Sequence, residues 1–336
     1  QLVFKDKVLA LFGYIGTPTS NAVLPLLRHE QVPFIAPFTG ADLLRQKDDH
    51  FIYNFRASYA QEASAQIQYQ NNSPLPLTEL WFELPLNRFL PDSISTALHG
   101  EGLGSAGIMQ IRFSAEDAVL PLLRQDTFYR VSLPTPLASG ASTTLNVSWQ
   151  LTLPNRKDPR RPRAGVEQFS DGSKLFGVAL WFPRALAFTD NGWALSPFIK
   201  DAEFATELGD YQLDITVPDG YLVLASGELQ NAAEVLTPAQ YQAWQQQGSA
   251  QMLLPGKTTD STAKKTWQFS AKNMRDVAFA AGNKLIWQTE QLQLNGRWHR
   301  LNVAYPDNGR WLWHQYALAS TRHSVQQLAQ YFGDFP

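Results

Sequence analysis

Cysteine is absent from the 336 residues, which excludes disulfides, cysteine-ligated zinc and thiol catalysis. Charge is scarce as well. Asp, Glu, Lys and Arg together make up 17% of the chain, against roughly 25% in a typical globular protein. A formal net charge of -2 leaves no electrostatic case for a nucleic-acid partner. No apolar run approaches the roughly 20 residues that span a bilayer, so no transmembrane segment is expected. A basic start followed by an apolar stretch is also missing. The first residue is Gln1, and a targeting signal is expected to have been removed or to lie outside the sequence.

The six histidines yield a further absence. A zinc peptidase helix needs two imidazoles one turn apart with a carboxylate beside the metal-bound water, the pattern His-Glu-x-x-His. His29-Glu30 begins it, but Pro33 stands where the second His belongs. His299, His314 and His323 have other intervals and read as ordinary surface or half-buried side chains. No strand-turn-helix nucleophile elbow is seen either. No catalytic residue, metal ligand or cofactor is therefore expected in this chain.

What is present is apolar and aromatic. A hydrophobic content of 44% suffices for real cores, the length allows two or more domains, and ten Trp with twenty Phe imply aromatic β packing. The grammar changes near Tyr69. Val8-Leu9-Ala10-Leu11-Phe12 reads as a strand buried on both faces, followed by a turn through Gly13 and Gly16. Thr17 sits at an N-cap with Pro18 at the first helical position, and Ala22, Val23, Leu26 and Leu27 form the stripe of a helix to about Glu30. Val32 to Ala36 and Phe51 to Phe55 read as two more strands, and Ser58 with Gln61 as a capping box for a second helix. This βαβ-like unit gathers hydroxyls and free amides at strand ends, where a helix N-terminus favours small anions or carboxylates. Thr17, Thr19 and Ser20 are equally readable as caps that satisfy their own helix.

The runs Phe12 to Ser20, Val32 to Ala41 and Phe55-Arg56-Ala57-Ser58-Tyr59 resemble the leucine/isoleucine/valine-type periplasmic binding proteins of ABC transporters, over about 65 residues. The resemblance implies an amino-acid site in which Thr17, Thr19 and Ser20 on one turn and Phe38, Thr39 and Gly40 on another hold the ligand's carboxylate and amine. It also implies a periplasmic or envelope location. Only part of one lobe is represented, so the two-lobed clamp that buries such a ligand is not expected, and an amino-acid or peptide ligand would bind weakly.

Beyond the seam the chain reads as short alternating strands. Ala65 to Gln70 is either the end of the preceding helix or a strand, and Asn71-Asn72-Ser73-Pro74 is a turn on both readings. Leu80 to Leu84, Leu145 to Leu153 and Tyr211 to Val217 read as strands, the last two with a clean period of two. Further strands are expected at Tyr221 to Ala225, Thr266 to Ser270, Val277 to Ala281, Ile286 to Thr289 and Arg300 to Tyr305. After Asp307-Asn308-Gly309 a helix is expected, with Leu312, Tyr316, Ala319, His323, Gln327 and Leu328 as its stripe and Gly333 at its end. That stripe, with no sheet to cover it, would stay exposed and lower solubility.

Other segments invite function and are read as ordinary. Gly102-Leu103-Gly104-Ser105-Ala106-Gly107 spells a dinucleotide fingerprint, but a strand-like run follows where a helix is required. Arg156 to Arg163 is a proline-containing solvated loop, and Asp201, Glu203, Glu207 and Asp210 form a surface cluster with neither calcium nor zinc spacing. Asn146-Val147-Ser148 is a glycosylation sequon placed inside a strand.

Tyr69 to Pro74, Leu80-Trp81-Phe82-Glu83-Leu84 and Asn87 resemble the opening of the N-terminal β-domain of aminopeptidase N-type zinc metallopeptidases, particularly the tricorn-interacting-factor-like branch. The match continues in order through Trp181-Phe182-Pro183-Arg184, Glu203-Phe204, Gly209-Asp210-Tyr211, Val217 to Tyr221, Ala225-Ser226-Gly227, Arg275-Asp276-Val277-Ala278-Phe279-Ala280 and Tyr331 to Pro336. It implies a β-saddle domain and the first helix of a thermolysin-like catalytic domain, with zinc expected only in a full-length relative. Gly177-Val178-Ala179-Leu180 departs from the family, which commonly places a Gln in this strand to meet a substrate amine. The expected fold is mainly β: a large antiparallel sandwich or saddle, preceded by a partial α/β unit and followed by a helix. The expected domains are residues 1–65, 66–305 and 306–336. The expected function is a noncatalytic portion of an aminopeptidase-like metallopeptidase joined to a partial amino-acid-binding lobe. The alternatives are a branched-chain amino-acid binding module, or a fusion or assembly product with no function of its own.

Overall fold

The computed structural model describes residues 8–12, 17–35, 44, 51–53, 62–100, 102, 107–116, 118–155, 163–199, 206–254 and 263–333. The Ser58 capping box, most of the glycine-rich loop and residues 156–162 of the basic run lie outside them. The fold class is the expected one, mainly antiparallel β with a short α/β segment before it and a helix after it. The chain divides into two compact units, one of residues 1–80, 107–124 and 130–152, the other of 81–106, 125–129 and 153–336.

In the first unit, strands Leu11–Phe12, Phe34–Ile35 and Ile52–Tyr53 lie parallel in chain order. Helix Thr17–Glu30 follows the first of them. Leu24 and Leu27 of the helix pack with Leu11, Phe34 and Leu44.

A four-stranded antiparallel sheet follows in this unit. Strand Glu62–Gln70 pairs with Ser142–Thr152, from Gln70 opposite Ser142 to Glu62 opposite Gln150. The ambiguous stretch before Asn71 is therefore a strand from Glu62 onward. Leu145, Val147 and Trp149 are buried while Thr144, Asn146 and Ser148 are exposed, which is the period of two that the sequence carries. On the other side Ser142–Thr152 pairs with Gly107–Ala115, so the segment after the glycine-rich loop is a strand and offers no helix N-terminus to a pyrophosphate. Asn71 begins the turn that follows Glu62–Gln70. Its buried amide donates to the Leu75 and Leu137 carbonyls at 2.8 and 2.9 Å and accepts from the Ser73 amide and hydroxyl at 3.0 and 2.7 Å. Every hydrogen-bonding position of that side chain is used, which explains an asparagine at a fully buried position.

The second unit holds the larger core. Strands Gly209–Pro218 and Lys264–Met274 pair over their length, and Lys174–Val178 and Tyr221–Ala225 flank Phe279–Asn283. Leu213, Ile215, Val217, Trp267, Phe269 and Trp287 are among the side chains that fill this core. Helix Pro238–Gln245 was not foreseen. Thr237 accepts from the Gln240 amide while the Gln240 side chain accepts from the Thr237 amide, with Pro238 at the first helical position. The sequence Thr237-Pro238-Ala239-Gln240 spells that capping box and was a legible signal.

Helix Arg310–Phe332 packs on strands Leu285–Leu294 and Arg297–Pro306. The side that packs is not the apolar stripe, whose Leu312, Tyr316 and Leu328 stay exposed as expected. Leu318 is its one buried residue, Arg322 binds Glu290 at 2.6 Å, and the His314 carbonyl accepts from Gln288 at 3.1 Å. Leu312, Tyr316 and Leu328 instead face outward, because the side that meets the strands is fixed by their buried Gln288 and Glu290, which need polar partners.

Removing residues 1–61 leaves strand Glu62–Gln70 whole, whereas removing 1–65 deletes four of its nine cross-strand partners. The longer truncation is expected to be less stable than the shorter by about 1–3 kcal/mol in urea denaturation. Equal stabilities would show that Glu62 to Ala65 contribute nothing to the sheet.

Candidate functional site

Of the residues expected to hold an amino acid, only some lie among the described residues. Thr17 and Thr19 lie in the first turn of helix Thr17–Glu30, and Phe38, Thr39 and Gly40 lie outside the described residues. Ser20 is fully buried, one turn before Leu24 on the same helical side. Its hydroxyl has no hydrogen-bond partner among the described residues. The residue lies on the same side of the helix as Leu24.

A different cluster gathers residues from distant stretches, all within the second unit. Arg184 stands directly opposite Glu83 in a short antiparallel pairing, with Ala185 opposite Phe82. Directly opposed residues share a face. The Glu83 and Arg184 side chains are 0% and 1% exposed, and Arg184 Nη2 lies 3.9 Å from Glu83 Oε2. On the other side Arg184 Nη1 donates to Asp276 Oδ2 at 3.1 Å. Asp276 Oδ1 in turn accepts from the Val277 amide at 2.8 Å. One guanidinium thus stands between two carboxylates that are far apart in sequence.

Aromatic rings pack near the charges, while the Asp276 side chain keeps 32% exposure. Trp181 meets Phe182 and Phe279 edge-on at 5.3 and 5.5 Å, and Phe182 meets Tyr211 at 5.7 Å. The Trp181 indole donates to the Val277 carbonyl at 3.0 Å, which ties the ring to the residue after Asp276. Leu180 enters this corner with a left-handed φ of 57°. Next to it, Arg275 donates to the Thr206 carbonyl at 2.6 Å. The Ser226 hydroxyl accepts from the Ala278 amide at 3.1 Å.

The electrostatics follow from this enclosure. Burial pushes the Asp276 carboxyl above its ordinary value, and the Arg184 charge pulls the other way without cancelling it. Burial, then the Asp276 charge, raises the Tyr211 phenol. Asp276 therefore contributes stability that is complete below its unfolded value and lost as pH rises through its raised folded value.

Chemically the cluster is a clamp. A guanidinium between the carboxylates supplies the positive charge a metal would bring, and repels a cation. No group of three or more potential metal-ligating side chains occurs among the described residues. Of the acidic set, Asp201 and Glu203 lie outside the described residues, and Asp210 accepts from the Asn273 amide at 2.9 Å. His29 lies 2.7 Å from Glu30. Nothing in sequence spacing announced the clamp, because its members are single charges 92 and 101 residues apart.

No protein-family model matches the chain, and no curated protein matches its sequence. Among solved structures it is similar to a point mutant of the M1 zinc metallopeptidase from Deinococcus radiodurans, at 15% identity and a TM-score of 0.45, over 82% of this chain and 50% of that one. The same mutant bound to a Tyr-Ser-Ala substrate gives 15% identity and a TM-score of 0.44 over the same shares. A two-domain M1 zinc metallopeptidase mutant bound to L-tryptophan gives 14% and 0.43, over 82% of this chain and 51% of that one. The chain spans about half the length of these structures. A TM-score under 0.5 at such identity transfers neither residues nor chemistry.

Replacing Arg184 with Met is expected to lower stability by about 3–5 kcal/mol, since the buried Glu83 loses the cation opposite it. Replacing Glu83 with Leu in the same chain is expected to restore most of that loss. The Asp276 carboxyl, already above its ordinary value, is expected to titrate higher still in Arg184→Met, measurable by carboxyl NMR. A loss under ~1 kcal/mol with unchanged Asp276 titration would refute the clamp. Gly227 offers a second check. It has a φ of 87°, and a Cβ there would run into the Ser270 carbonyl oxygen. Gly227→Ala is expected to cost about 2–4 kcal/mol in thermal or denaturant unfolding.

Proposed function

We propose that this chain is a noncatalytic β-portion of an aminopeptidase-like zinc metallopeptidase, serving as scaffold rather than as catalyst. One observation carries the reading. Several of the separate stretches on which the family resemblance rests meet at one place: Glu83 of Leu80 to Leu84, Trp181 to Arg184, Tyr211 of Gly209 to Tyr211, and Asp276 to Phe279 of Arg275 to Ala280. Residues that are individually weak as a motif hold one another in the fold, which is what a shared structural ancestor would preserve in them. Asn87 belongs to the same set, donating to the Tyr129 hydroxyl at 3.2 Å in a buried site.

As a scaffold the chain needs no zinc of its own, and the absence of His-Glu-x-x-His in its sequence leaves no pair of imidazoles to hold one. A full-length relative would use zinc to polarise a peptide carbonyl and a glutamate to activate water. The second unit offers no such set among its described residues. A periplasmic or envelope location accords with the resemblance and with a cysteine-free composition.

The purified chain is expected to release no amino acid from aminoacyl-p-nitroanilides of apolar, basic and acidic type, with or without added zinc. Zinc-dependent release that a chelator abolishes, and that persists through further purification, would overturn the proposal.

A further inference from the structure

A small cavity lies within the second unit, and its walls follow from strand geometry. Lys265 and Trp267 are two apart on strand Lys264–Met274 and so point to one side of it. Leu253 of strand Gln251–Leu253 stands opposite Trp287 of Leu285–Leu294, and directly opposed residues share a face. The start of helix Pro238–Gln245 is tied to the same place, because the Gln240 side chain donates to the Leu254 carbonyl at 2.7 Å. Trp267, Leu253 and Trp287, together with Val235 and Leu236, line a space of about 70 Å³.

Most polar groups of this lining are engaged. The capping box occupies Thr237 and Gln240. Lys265 Nζ lies 3.0 Å from Asp219 Oδ1, so these two charges offset each other. The Trp287 indole donates to Asn302 at 3.1 Å. Trp267 differs. It is 2% exposed, yet its indole N–H has no hydrogen-bond partner among the described residues. A buried tryptophan N–H ordinarily finds one, and an unmet donor at that depth is costly.

The space and the unmet donor together restrict what fits. A buried water makes about three hydrogen bonds, and walls of leucine, valine and indole carbon beside one free donor supply too few. An anion is disfavoured, because the Asp219 carboxylate already holds the ammonium of Lys265 and would repel a second negative charge. At ~10–15 Å³ for each water-sized group, the space takes about five non-hydrogen atoms. The matching occupant is neutral, apolar over most of its surface, and carries one acceptor oxygen. Lys265, with its side chain 38% exposed, and Leu254, 51% exposed, mark the side on which the space opens.

We propose that this cavity is a binding site for a small neutral carbonyl compound, a short ketone, aldehyde or ester, whose oxygen accepts from the Trp267 indole. The site is independent of zinc chemistry and of the family resemblance. The probe is 2-butanone, which matches the space in size and titrates into the 336-residue chain. The indole NMR signal of Trp267, assigned by its loss in Trp267→Phe, is expected to shift along a saturating curve with a midpoint of ~1–30 mM. Trp267→Phe keeps a ring and removes the donor, and binding followed at the Leu253 methyl signals is expected to weaken ~3–10-fold. Val235→Leu narrows the space and leaves the donor, and is expected to weaken binding at least ~5-fold. Thermal unfolding identifies which variants are folded. A wild-type response that stays linear to ~100 mM, or an indole proton in contact with water as the only occupant, would overturn the proposal. So would an affinity unchanged in either folded variant.

Discussion

The Arg184 guanidinium is the constraint around which the second unit is organised. It is 2% exposed, and an unpaired charge at that depth would cost several kcal/mol. It must therefore have carboxylates, and these come from Glu83 and Asp276, on either side of it in sequence. Meeting that requirement fixes the pairing Arg184 to Glu83, the position of the strand that ends near Met274, and the corner at Leu180 that brings Trp181 over Val277. An apolar substitution of equal volume could be at least as stable. What the ion cluster adds is a unique register, since slipping either strand by one residue would turn its charge to the opposite face.

The aromatic rings and the charges depend on each other. Excluding water strengthens the Arg184 to Asp276 attraction, yet the same exclusion penalises both ions, so the net effect on Asp276 is an upward shift. The site holds a balance of opposing terms. A cluster of this kind is suited to holding stretches together.

How far the sequence disclosed this fold follows from which physics is local. Leu145 to Trp149 and Leu213 to Val217 alternate because one side of each strand faces a core, and that period survives in the letters. The stretch before Asn71 was ambiguous because glutamine and alanine suit helix and strand alike; its nine partners in Ser142 to Gln150 decide the matter, and those are distant. Helix Pro238–Gln245 was legible in its own capping box and was missed. Glu83, Arg184 and Asp276 were not legible as a cluster, because a single charge in sequence reads as surface until its partner is known. The glycine-rich run before Gly107 matched a fingerprint in letters only, and the strand after it removes the geometry the chemistry needs.

The helix Arg310–Phe332 carries the same division of labour in inverted form. Its inward contacts are polar and directional, through His314, Arg322 and the buried Gln288 and Glu290, with Leu318 between them. These contacts orient the helix because hydrogen bonds are satisfied in one rotation and not in others. Its outward side chains include large apolar ones, which carry little directional information of their own. Apolar residues at helical spacing report where apolar surface lies, and not which side of the helix is packed. At Arg184 the apolar rings pack near the charges; on this helix the rings are left open. In both places the polar groups determine geometry, and the apolar groups determine how much free energy is available once that geometry is met.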